Sequence, residues 1–369
     1  MRILIVDTVS YERAPYLKYY EDACKECNVE YDMFLWDRYS DGGLKKQGNY
    51  YVYHKICPLG KGKLRKLFPM FQYRYQLLKT IKENNYTHFV LINTLASVMI
   101  SKYIISNFKE KYIMDIRDYT YEKFGFYKRI VKQLIENSYF ATISSKGFLK
   151  FLANSNKLII NHNINKTPII ANKPTLDKYK RNVIGFVGSV RYENENIALI
   201  KALKNSCDYE LLYCGSIVNG CCIKEKVQQL GVQNVTFTGP FRNDEKRQIY
   251  SNIDIINSLY GNSSLEVTTA IPNRYYDAML FKKPIIASKG TFLGELVENN
   301  HLGIVVDVFR DNVKAILKNY IETFDSKTFS DCCDKELKNV LNEQNCYYNF
   351  IKAFLMDNNG VKGCKYEEA

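Results

Sequence analysis

The sequence predicts an α/β protein built from two doubly wound parallel sheets. Two observations carry this prediction: short apolar runs alternate with helical stretches in each half of the chain, and a segment without periodicity separates the halves. Alternation of this kind is typical of parallel strands joined by helical crossovers. A chain of 369 residues with 46% hydrophobic residues is also too long for one ordinary core and suits two domains.

The first half shows the same alternation as the second, which predicts a second open α/β sheet. We predict its strands at 2–6, 31–36, 88–92, 111–116, 139–143 and 158–160, with helices near 14–27, 70–84, 95–107, 127–137 and 145–153. In the second half the strands are predicted at 183–187, 210–213, 234–237, 253–256, 284–287 and 303–306, with helices near 196–205, 223–230, 244–251, 272–281, 292–299 and 311–323. The apolar runs of the second half are nearly continuous, which predicts strands buried on both faces.

The segment between the halves marks the domain boundary. Residues 166–182 contain Pro168, Pro174 and many charges but no apolar period, as expected of a linker. We therefore predict an N-terminal domain at 1–165 and a C-terminal domain at 183–335. A last helical stretch follows at 336–357, and the tail at 358–369 is expected to fray.

Composition indicates an anionic ligand without identifying it. The net charge of +13 predicts attraction to nucleic acid, a sugar nucleotide or a phospholipid surface. The eleven cysteines are an odd number, which favours reduced thiols over a disulfide framework. No stretch approaches the roughly 20 apolar residues that span a bilayer, and the apolar run before Asp7 is too short for a signal peptide. We expect a cytoplasmic location.

The most informative segment is Ile-Pro-Asn-Arg-Tyr-Tyr-Asp-Ala-Met-Leu-Phe-Lys-Lys-Pro-Ile-Ile-Ala at 271–287. Pro272 fits the first position of a short helix, and Pro284 separates that helix from a buried strand. The helical period predicts that Asp277 lies off the core-facing stripe, where its carboxylate is able to bind a sugar hydroxyl. The alternative is a solvated ion pair with Arg274, three residues earlier, which has no function.

This segment resembles the stretch P-N-K-x-x-E-x-x-A-x-x-K-P-x-I-A of family 4 glycosyltransferases. The resemblance implies the GT-B fold, in which two Rossmann-like domains face each other across a cleft and the last helix crosses back to the first domain. It also implies that the acidic residue, here Asp277, holds the ribose of a nucleotide-sugar donor, with Asn273 in the same donor site.

A second motif follows the predicted strand at 183–187. Gly188, Ser189 and Arg191 place backbone N–H groups and a guanidinium between a strand and a helix, where a diphosphate is able to bind. The motif resembles the G-R/S-x-R…K-G phosphate loop of the same family, which implies that Arg191 stabilises the leaving nucleoside diphosphate. The family's lysine is absent, because Asn194, Glu195 and Asn196 stand in its place, and a surface arginine is the alternative.

Three weaker turns complete the predicted donor site. Small residues at strand ends let a ligand approach backbone amides closely, as Gly215 and Gly239 would. The resemblance implies that Gly239 and Phe241 contact the nucleotide base, while ordinary turn chemistry is the alternative. Ser263 and Ser264 are candidates for hydrogen bonds to the donor sugar or phosphate.

In the first half, Asp115-Ile116-Arg117-Asp118 ends an apolar strand with two carboxylates and a guanidinium. Such a set is costly near a cleft unless it is paired or used. It resembles the D-I-R-D-L element of bacterial polysaccharide glycosyltransferases. The resemblance makes Asp118 the candidate that accepts or orients the acceptor hydroxyl, with Arg117 near the phosphates or holding Asp118. The alternative is a network of the three side chains that only fixes the loop.

The segment from Lys61 to Phe71 mixes cations with aromatic groups, a composition typical of contact with an anionic membrane surface. A solvated loop followed by a core helix is the alternative. No Asp-x-Asp metal motif occurs in the sequence, and the fold that the resemblance implies usually works without a metal. We therefore expect no cofactor, with the UDP- or GDP-linked sugar acting as donor substrate.

These observations together predict a glycosyltransferase that moves a sugar from a nucleotide-diphosphate sugar to a lipid-linked or oligosaccharide acceptor in bacterial surface polysaccharide assembly. The family implies retention of anomeric configuration, and the segment from Lys61 to Phe71 indicates a peripheral position at the inner face of the cell membrane. One alternative is a GT-B sugar-nucleotide epimerase or a non-catalytic nucleotide-binding homologue. A basic nucleic-acid-binding protein is more distant, since no helix-turn-helix, RNP sequence or zinc finger is visible.

Overall fold

The computed structural model describes residues 1–57, 63–164, 174, 176–218 and 220–357, with the side chains of 63–65 excepted. The chain divides into two compact units: unit 1 contains Met1–His162 and the chain from Asn342 onward, and unit 2 contains Asn163–Leu341. Most of the predicted linker at 166–182 and the whole predicted tail at 358–369 lie outside the described residues.

Unit 1 alternates strands and helices, with a hairpin inserted after its second strand. Its elements are β1 (Arg2–Val6), α1 (Leu17–Glu26), β2 (Glu30–Asp37), β3 (Gly43–Gln47), β4 (Tyr50–His54), α2 (Lys63–Glu83), β5 (His88–Ile92), α3 (Thr94–Met99), α4 (Ser101–Asn107), β6 (Tyr112–Ile116), α5 (Gly125–Asn137), β7 (Phe140–Ile143) and β8 (Leu158–Ile160). Within the described residues its sheet has the order β3-β4-β2-β1-β5-β6-β7-β8. The pairings of this sheet are parallel except that between β3 and β4.

The β3–β4 hairpin is an element that the sequence analysis missed. Its first strand is mostly exposed and carries two lysines, so it lacks the apolar run on which strand prediction depended. The signal lies in the connection, because Gly48 has a φ of 58° in the two-residue loop between the strands. Two-residue hairpin loops favour glycine and asparagine for this reason.

Unit 2 is a regular parallel α/β unit. Its elements are β9 (Asn182–Val187), α6 (Glu193–Ala202), β10 (Tyr209–Cys214), α7 (Ile223–Gln229), β11 (Val235–Gly239), α8 (Lys246–Ser251), β12 (Ile255–Ser258), α9 (Leu265–Thr269), α10 (Asn273–Phe281), β13 (Ile285–Ser288), α11 (Phe292–Asn299), β14 (Gly303–Val306), α12 (Val313–Glu322) and the first part of α13 (Ser326–Met356). As far as the structure describes the chain, its strands follow the order β11-β10-β9-β12-β13-β14, which is the Rossmann order 3-2-1-4-5-6.

The central strands of both sheets are buried on both faces, as predicted for parallel strands with helices on either side. β6, β7, β12 and β13 are buried along their whole length. Two helix predictions were wrong in detail. The chain at 145–153 forms a short 3₁₀ turn at Lys146–Lys150 instead of an α-helix, and the stretch at 95–107 is interrupted at Ile100.

The last helix is longer than predicted, because α13 begins ten residues earlier than 336. Its first part packs in unit 2 through Phe329 and Val340, and its last part packs in unit 1 through Tyr347 and Ile351. None of the described helices is both long and apolar enough to traverse a lipid bilayer. The ten cysteines within the described ranges are free thiols.

Candidate functional site

Each sheet reverses its strand order at one point, and both units carry their candidate residues there. The reversal lies between β1 and β5 in unit 1 and between β9 and β12 in unit 2. In open α/β sheets, ligands bind beyond the carboxyl ends of the strands at such a point. The residues that follow these strands therefore form two candidate sites, one in each unit.

The candidate site of unit 2 begins with the loop that joins β9 to α6. Gly188 has a φ of 125°, and its N–H donates to the carbonyl of Cys214 at 2.8 Å. Ser189 and Arg191 are exposed. Gly215 approaches this loop so closely that a Cβ there would lie 1.9 Å from the carbonyl oxygen of Gly188. Gly215 therefore lets the two loops pack closely, and the space beside Gly188 is open.

Asn196, which stands near the family's lysine position, is a buried clamp on this loop. Its Nδ2 donates to the carbonyls of Arg191 and Tyr192 at 3.0 and 2.9 Å. Its Oδ1 accepts from Asn257 at 2.9 Å and from the hydroxyl of Tyr213 at 3.1 Å. Because all these groups are satisfied inside the unit, Asn196 fixes the course of the loop and supplies no charge to a ligand.

Aromatic rings connect this loop to α10. The ring of Tyr192 stacks on that of Tyr260 with centroids 4.4 Å apart, and the Arg191 guanidinium lies 5.5 Å from the centroid of Tyr192. On the other side of Tyr260 lies Arg274, whose guanidinium is 4.6 Å from the Tyr260 centroid and 3.7 Å from that of Phe186. Burial raises the pKa of the Tyr192 hydroxyl, so this ring remains neutral.

Arg274 is a functional candidate that the sequence analysis did not select. It is buried, with 4% of its surface exposed. Its Nη1 donates to the carbonyl of Asn257 at 2.8 Å, and its Nη2 donates to the hydroxyl of Tyr260. Within the described residues no carboxylate pairs with this guanidinium. A buried cation without a counter-ion is costly, and an anionic ligand would offset that cost.

The prediction that Asp277 points away from the packed side of its helix was wrong. The helix is buried nearly all round, and Asp277 is only 7% exposed. Its carboxylate accepts from Nζ of Lys246 at 3.1 and 3.2 Å and from the hydroxyl of Tyr250 at 2.8 Å. Helix α10 also begins at Asn273, so Pro272 is its N-cap and not its first residue.

The alternative of an Arg274–Asp277 ion pair was wrong as well, because each side chain has other partners. Lys246, at the start of α8, is the cation that holds Asp277. The carboxylate is therefore pre-positioned with one lysine beside it. A lysine and an acid in contact are able to bind adjacent hydroxyls of a ribose, since one donates and the other accepts.

The remaining predicted donor residues lie at three other places in unit 2. Gly239 ends β11 with a φ of 82°, and Phe241 is half-buried against the core. Ser264 caps α9 by accepting from the N–H of Val267 at 3.3 Å. Ser263 is exposed beside it. Asn273 accepts from the side chain of Asn163 at 2.8 Å.

In unit 1, the prediction for Arg117 is corrected by burial. Its Nε and Nη2 donate to one oxygen of Asp115 at 2.9 and 2.8 Å, and its guanidinium lies over the ring of Tyr16 at 4.4 Å. Asp115 also accepts from Tyr20 at 2.9 Å and from Thr142 at 3.1 Å. Burial lowers the pKa of Arg117, but the nearby Asp115 carboxylate raises it. The net shift of the pKa is upward, so the guanidinium stays charged. Arg117 is thus a buried partner of Asp115, and Nη1 has no hydrogen-bond partner among the described residues.

Asp118 follows this pair and is exposed, on the wall of a cavity of about 390 Å³. The cavity lies at the carboxyl ends of β1, β2, β5 and β6. The lining comes from the last part of β2 and from the segments after these strands: Thr8, Val9, Ser10, Arg13, Trp36, Arg38, Tyr39, Asn93, Leu95, Asp118 and Thr120. The volume is within the range of small-molecule sites.

A buried acid lies behind this cavity. Asp7 is fully buried and accepts from the N–H of Thr8 at 2.6 Å, from Asn93 at 3.1 Å and from Tyr16 at 2.9 Å. Burial raises the pKa of Asp7 to about 7, although these hydrogen bonds oppose the shift. Asn93 has a φ of 64°, a conformation that side chains seldom adopt. Such strain is found more often at functional sites than elsewhere.

The sequence analysis missed Asp7, Asn93, Arg13 and Arg38 because it relied on matched motifs. A signal was available, since Asp7, Asn93 and Arg38 each come directly or almost directly after an apolar strand. In the part of the chain that the structure describes, no group of three His, Cys, Asp or Glu side chains is arranged to hold a metal ion.

Comparison with known proteins adds a family match for unit 2 and a fold for the chain. Residues 169–338 match the family described as glycosyl transferases group 1. No curated protein matches the sequence significantly. Sucrose-phosphate synthase from Thermosynechococcus elongatus is similar in structure with a TM-score of 0.69 at 15% identity, over 96% of this chain and 100% of that one.

Two further solved structures have the same fold. The Anabaena protein HepE in complex with UDP has a TM-score of 0.69 at 16% identity, over 96% of this chain and 100% of that one. The lipopolysaccharide outer core galactosyltransferase WaaB has a TM-score of 0.65 at 14% identity, over 96% and 99% of the two chains. The predicted fold class, two Rossmann-like α/β units of GT-B type, is confirmed.

Proposed function

We propose that this protein is a glycosyltransferase that takes a sugar from a nucleotide-diphosphate sugar and transfers it to a saccharide acceptor. The observation that carries the proposal is the buried, pre-positioned carboxylate of Asp277, in the segment that the group 1 glycosyltransferase family matches. The family match and the similarity of this fold to a protein in complex with UDP favour a UDP-linked donor.

In this proposal the ribose binds at Asp277. The carboxylate accepts hydrogen bonds from the ribose hydroxyls, while Tyr250 and Lys246 hold it in place through the contacts described above. The backbone amides beside Gly188 and Gly215 bind the diphosphate, and Arg191 supplies positive charge as the leaving group departs.

Arg274 provides the second positive charge that the missing family lysine would have supplied. It lies beneath Tyr260, which stacks on the residue next to Arg191, so both guanidinium groups border one aromatic cluster. Because its guanidinium is buried and donates to Asn257 and Tyr260, we assign it as a positioning residue. We expect Arg274→Gln to raise the KM for the donor more than it lowers kcat, and Arg274→Lys to restore part of the loss.

The test of the donor site is UDP binding measured by calorimetry. Asp277→Asn is expected to weaken UDP binding about tenfold or more, because it removes a charge-assisted hydrogen bond. The matched control is Asp331→Asn, which changes an exposed acid of the same unit. Equal UDP affinity in wild type and Asp277→Asn, with both proteins folded by thermal melting, would contradict the ribose role.

On the acceptor side, we propose that Asp118 orients the attacking hydroxyl from the wall of the unit 1 cavity. The acceptor is a lipid-linked or oligosaccharide substrate of bacterial surface polysaccharide assembly, with retention of configuration and without a metal. Turnover in the presence of a chelator tests whether the reaction needs a metal. The anomeric configuration of the product, measured by NMR, tests the stereochemistry.

A membrane-facing surface in unit 1 favours a lipid-linked acceptor. On α2, the side chains of Phe68, Phe71 and Tyr75 are 63%, 66% and 64% exposed, and Leu67 is 46% exposed. The predicted segment at 61–71 begins outside the described residues, but its aromatic part lies on this exposed face. With the net charge of +13, such a face fits an anionic leaflet at the inner side of the cell membrane.

Sedimentation with vesicles tests the membrane contact. Phe68→Ser with Phe71→Ser is expected to reduce binding to phosphatidylglycerol vesicles, while Phe309→Ser, an equally exposed aromatic of unit 2, is expected to have no effect. Equal binding by all variants would contradict a role for α2.

A second candidate function is a sugar-nucleotide epimerase or a non-catalytic nucleotide-binding homologue. It is favoured by one observation: Asn196 is a buried structural clamp near the place where the family carries a lysine. Mass spectrometry of the products of a UDP-sugar, together with NMR, which distinguishes sugar epimers of equal mass, separates the functions. A transferase consumes donor only when an acceptor is present, an epimerase converts the donor alone, and a binding protein does neither.

A further inference from the structure

Two arginines on the wall of the unit 1 cavity have no acidic partner among the residues that the structure describes. Arg38 follows β2, and Arg13 lies in the short turn after β1. Neither guanidinium contacts a carboxylate within the described residues.

Both guanidinium groups lie against aromatic rings. That of Arg38 is 4.6 Å from the centroid of Trp36, and that of Arg13 is 3.9 Å from the centroid of Tyr39. Stacking on a ring uses the face of a guanidinium and leaves the N–H groups at its edge to donate. Planar, pre-oriented guanidinium edges bind phosphate oxygens through paired hydrogen bonds.

A hydrogen bond also holds the side chain of Arg38 in place. Its Nε donates to the carbonyl of Thr8 at 3.0 Å, while its two terminal nitrogens have no hydrogen-bond acceptor in the described part of the chain. A side chain fixed by one bond and one ring pays little conformational entropy when an anion binds. The hydroxyls of Ser10 and Thr120 line the same cavity and are further donors.

Asp118 gives another part of the cavity lining a different chemistry. Asp118 carries a carboxylate, which accepts hydrogen bonds and repels anions. One cavity therefore presents donors for an anion on the arginine side and an acceptor for a hydroxyl on the aspartate side. A ligand with a phosphate and free sugar hydroxyls satisfies both parts of the lining, and a neutral sugar satisfies only one.

We infer that this cavity selects an acceptor saccharide that bears a phosphate or diphosphate, with Arg13 and Arg38 as the residues that bind the phosphate. The inference rests on the proposed function, of which it specifies the acceptor class. The phosphate comes either from a soluble sugar phosphate or from a lipid diphosphate-linked sugar, since both present the same group to the arginines.

The first experiment uses inorganic pyrophosphate as the probe. The full-length protein saturated with UDP is titrated with pyrophosphate by calorimetry, so that the donor site is already filled. We expect one further pyrophosphate to bind. Arg13→Gln and Arg38→Gln are each expected to weaken it about tenfold, since each removes charge-assisted hydrogen bonds, and the double variant to abolish it.

The control is Arg129→Gln, which removes the same charge from an exposed position on α5 of the same unit. Its pyrophosphate affinity is expected to equal that of wild type. Because Arg13 is exposed, its variant tests the site even if Arg38→Gln is unstable in a thermal melt. No pyrophosphate binding by wild type, or equal binding by the double variant, would overturn the inference.

The donor site and the phosphate site are separable in the same measurements. Failure of UDP to bind would contradict the proposed function, and the pyrophosphate titration is then made on Arg191→Ala without UDP. Binding that survives Arg191→Ala and disappears with the Arg13 and Arg38 changes assigns the phosphate to unit 1. UDP binding without the pyrophosphate effect would overturn only the present inference.

The source of the phosphate is identified by competition. Glucose 6-phosphate, vesicles that carry a polyprenyl diphosphate-linked sugar, and glucose are each added to compete with pyrophosphate. Displacement by either phosphorylated ligand but not by glucose supports the inference and names the source. Displacement by glucose alone, or by none of the three, would overturn it.

Discussion

Replacement of Asp7 by asparagine is expected to remove a pH dependence from the stability of unit 1. The carboxyl has a pKa of about 7 in the folded protein against an ordinary value of 3.8, because it is fully buried. The folded state therefore holds the proton more tightly than the unfolded chain. The resulting stability is fully present below pH 3.8 and is lost as the pH rises through 7.

The size of the effect follows from the shift. A difference of about 3 pKa units, at 1.36 kcal/mol per unit, corresponds to roughly 4 kcal/mol over the whole range. Between pH 5.5 and 7 the expected loss is about 2 kcal/mol. Asparagine is nearly isosteric and keeps the oxygen that accepts from Thr8 and Asn93, so the variant should fold. It should lack the pH-dependent contribution of Asp7 to stability.

The assay is urea unfolding followed by circular dichroism at several pH values and one ionic strength. The free energy of unfolding of wild type should fall relative to that of Asp7→Asn as the pH rises from 5.5 to 8. Asp22→Asn, a change on the surface of α1, corrects for the general effect of one lost acid. Parallel pH profiles for wild type and Asp7→Asn would refute the argument, because Asp7 would then be ionised in the folded protein.

Three further changes test the architecture of unit 2. Gly215→Ala places a Cβ against a neighbouring backbone carbonyl at a φ of 145°, so we expect thermal melts to show a loss of roughly 2 kcal/mol in stability. The control Gly125→Ala, in unit 1, adds its Cβ in open space and is expected to cause no loss. Asn196→Lys is expected to lower stability by more than about 2 kcal/mol and not to raise turnover, because it breaks a buried clamp; higher activity would contradict that role. Lys246→Met should cost about 2 kcal/mol in urea unfolding by leaving a buried carboxylate with one partner, and unchanged stability would show that the ion pair is not formed in solution.

The regular part of the fold was accessible from sequence because its signals are local. The continuous apolar runs that became β9, β12 and β13 are buried in parallel sheets, and the helix predicted at 292–299 has those bounds in the structure. The β3–β4 hairpin was not accessible in this way, since its first strand is polar. β3 forms by pairing with β4, while most of its own side chains stay exposed.

The candidate sites were predicted less well, because side-chain partners are set by tertiary contacts. The helical period of 272–281 gave Asp277 an outward position, but elements on every side bury that helix. Lys246 lies 31 residues before Asp277, a separation at which no local pattern indicates contact. Arg13, which does not directly follow a strand, became a candidate only when the sheet brought the ends of β1 and β2 together.

Trp36 is the chain's only tryptophan, and it lies on the wall of the cavity with a guanidinium against its ring. Its indole emission is therefore a built-in optical reporter for that one place, with no label required. A ligand that draws Arg38 away from the ring should change the emission intensity, whereas UDP in unit 2 should leave it unaltered. The protein's own fluorescence could thus be used to screen acceptor candidates before any reaction product is known.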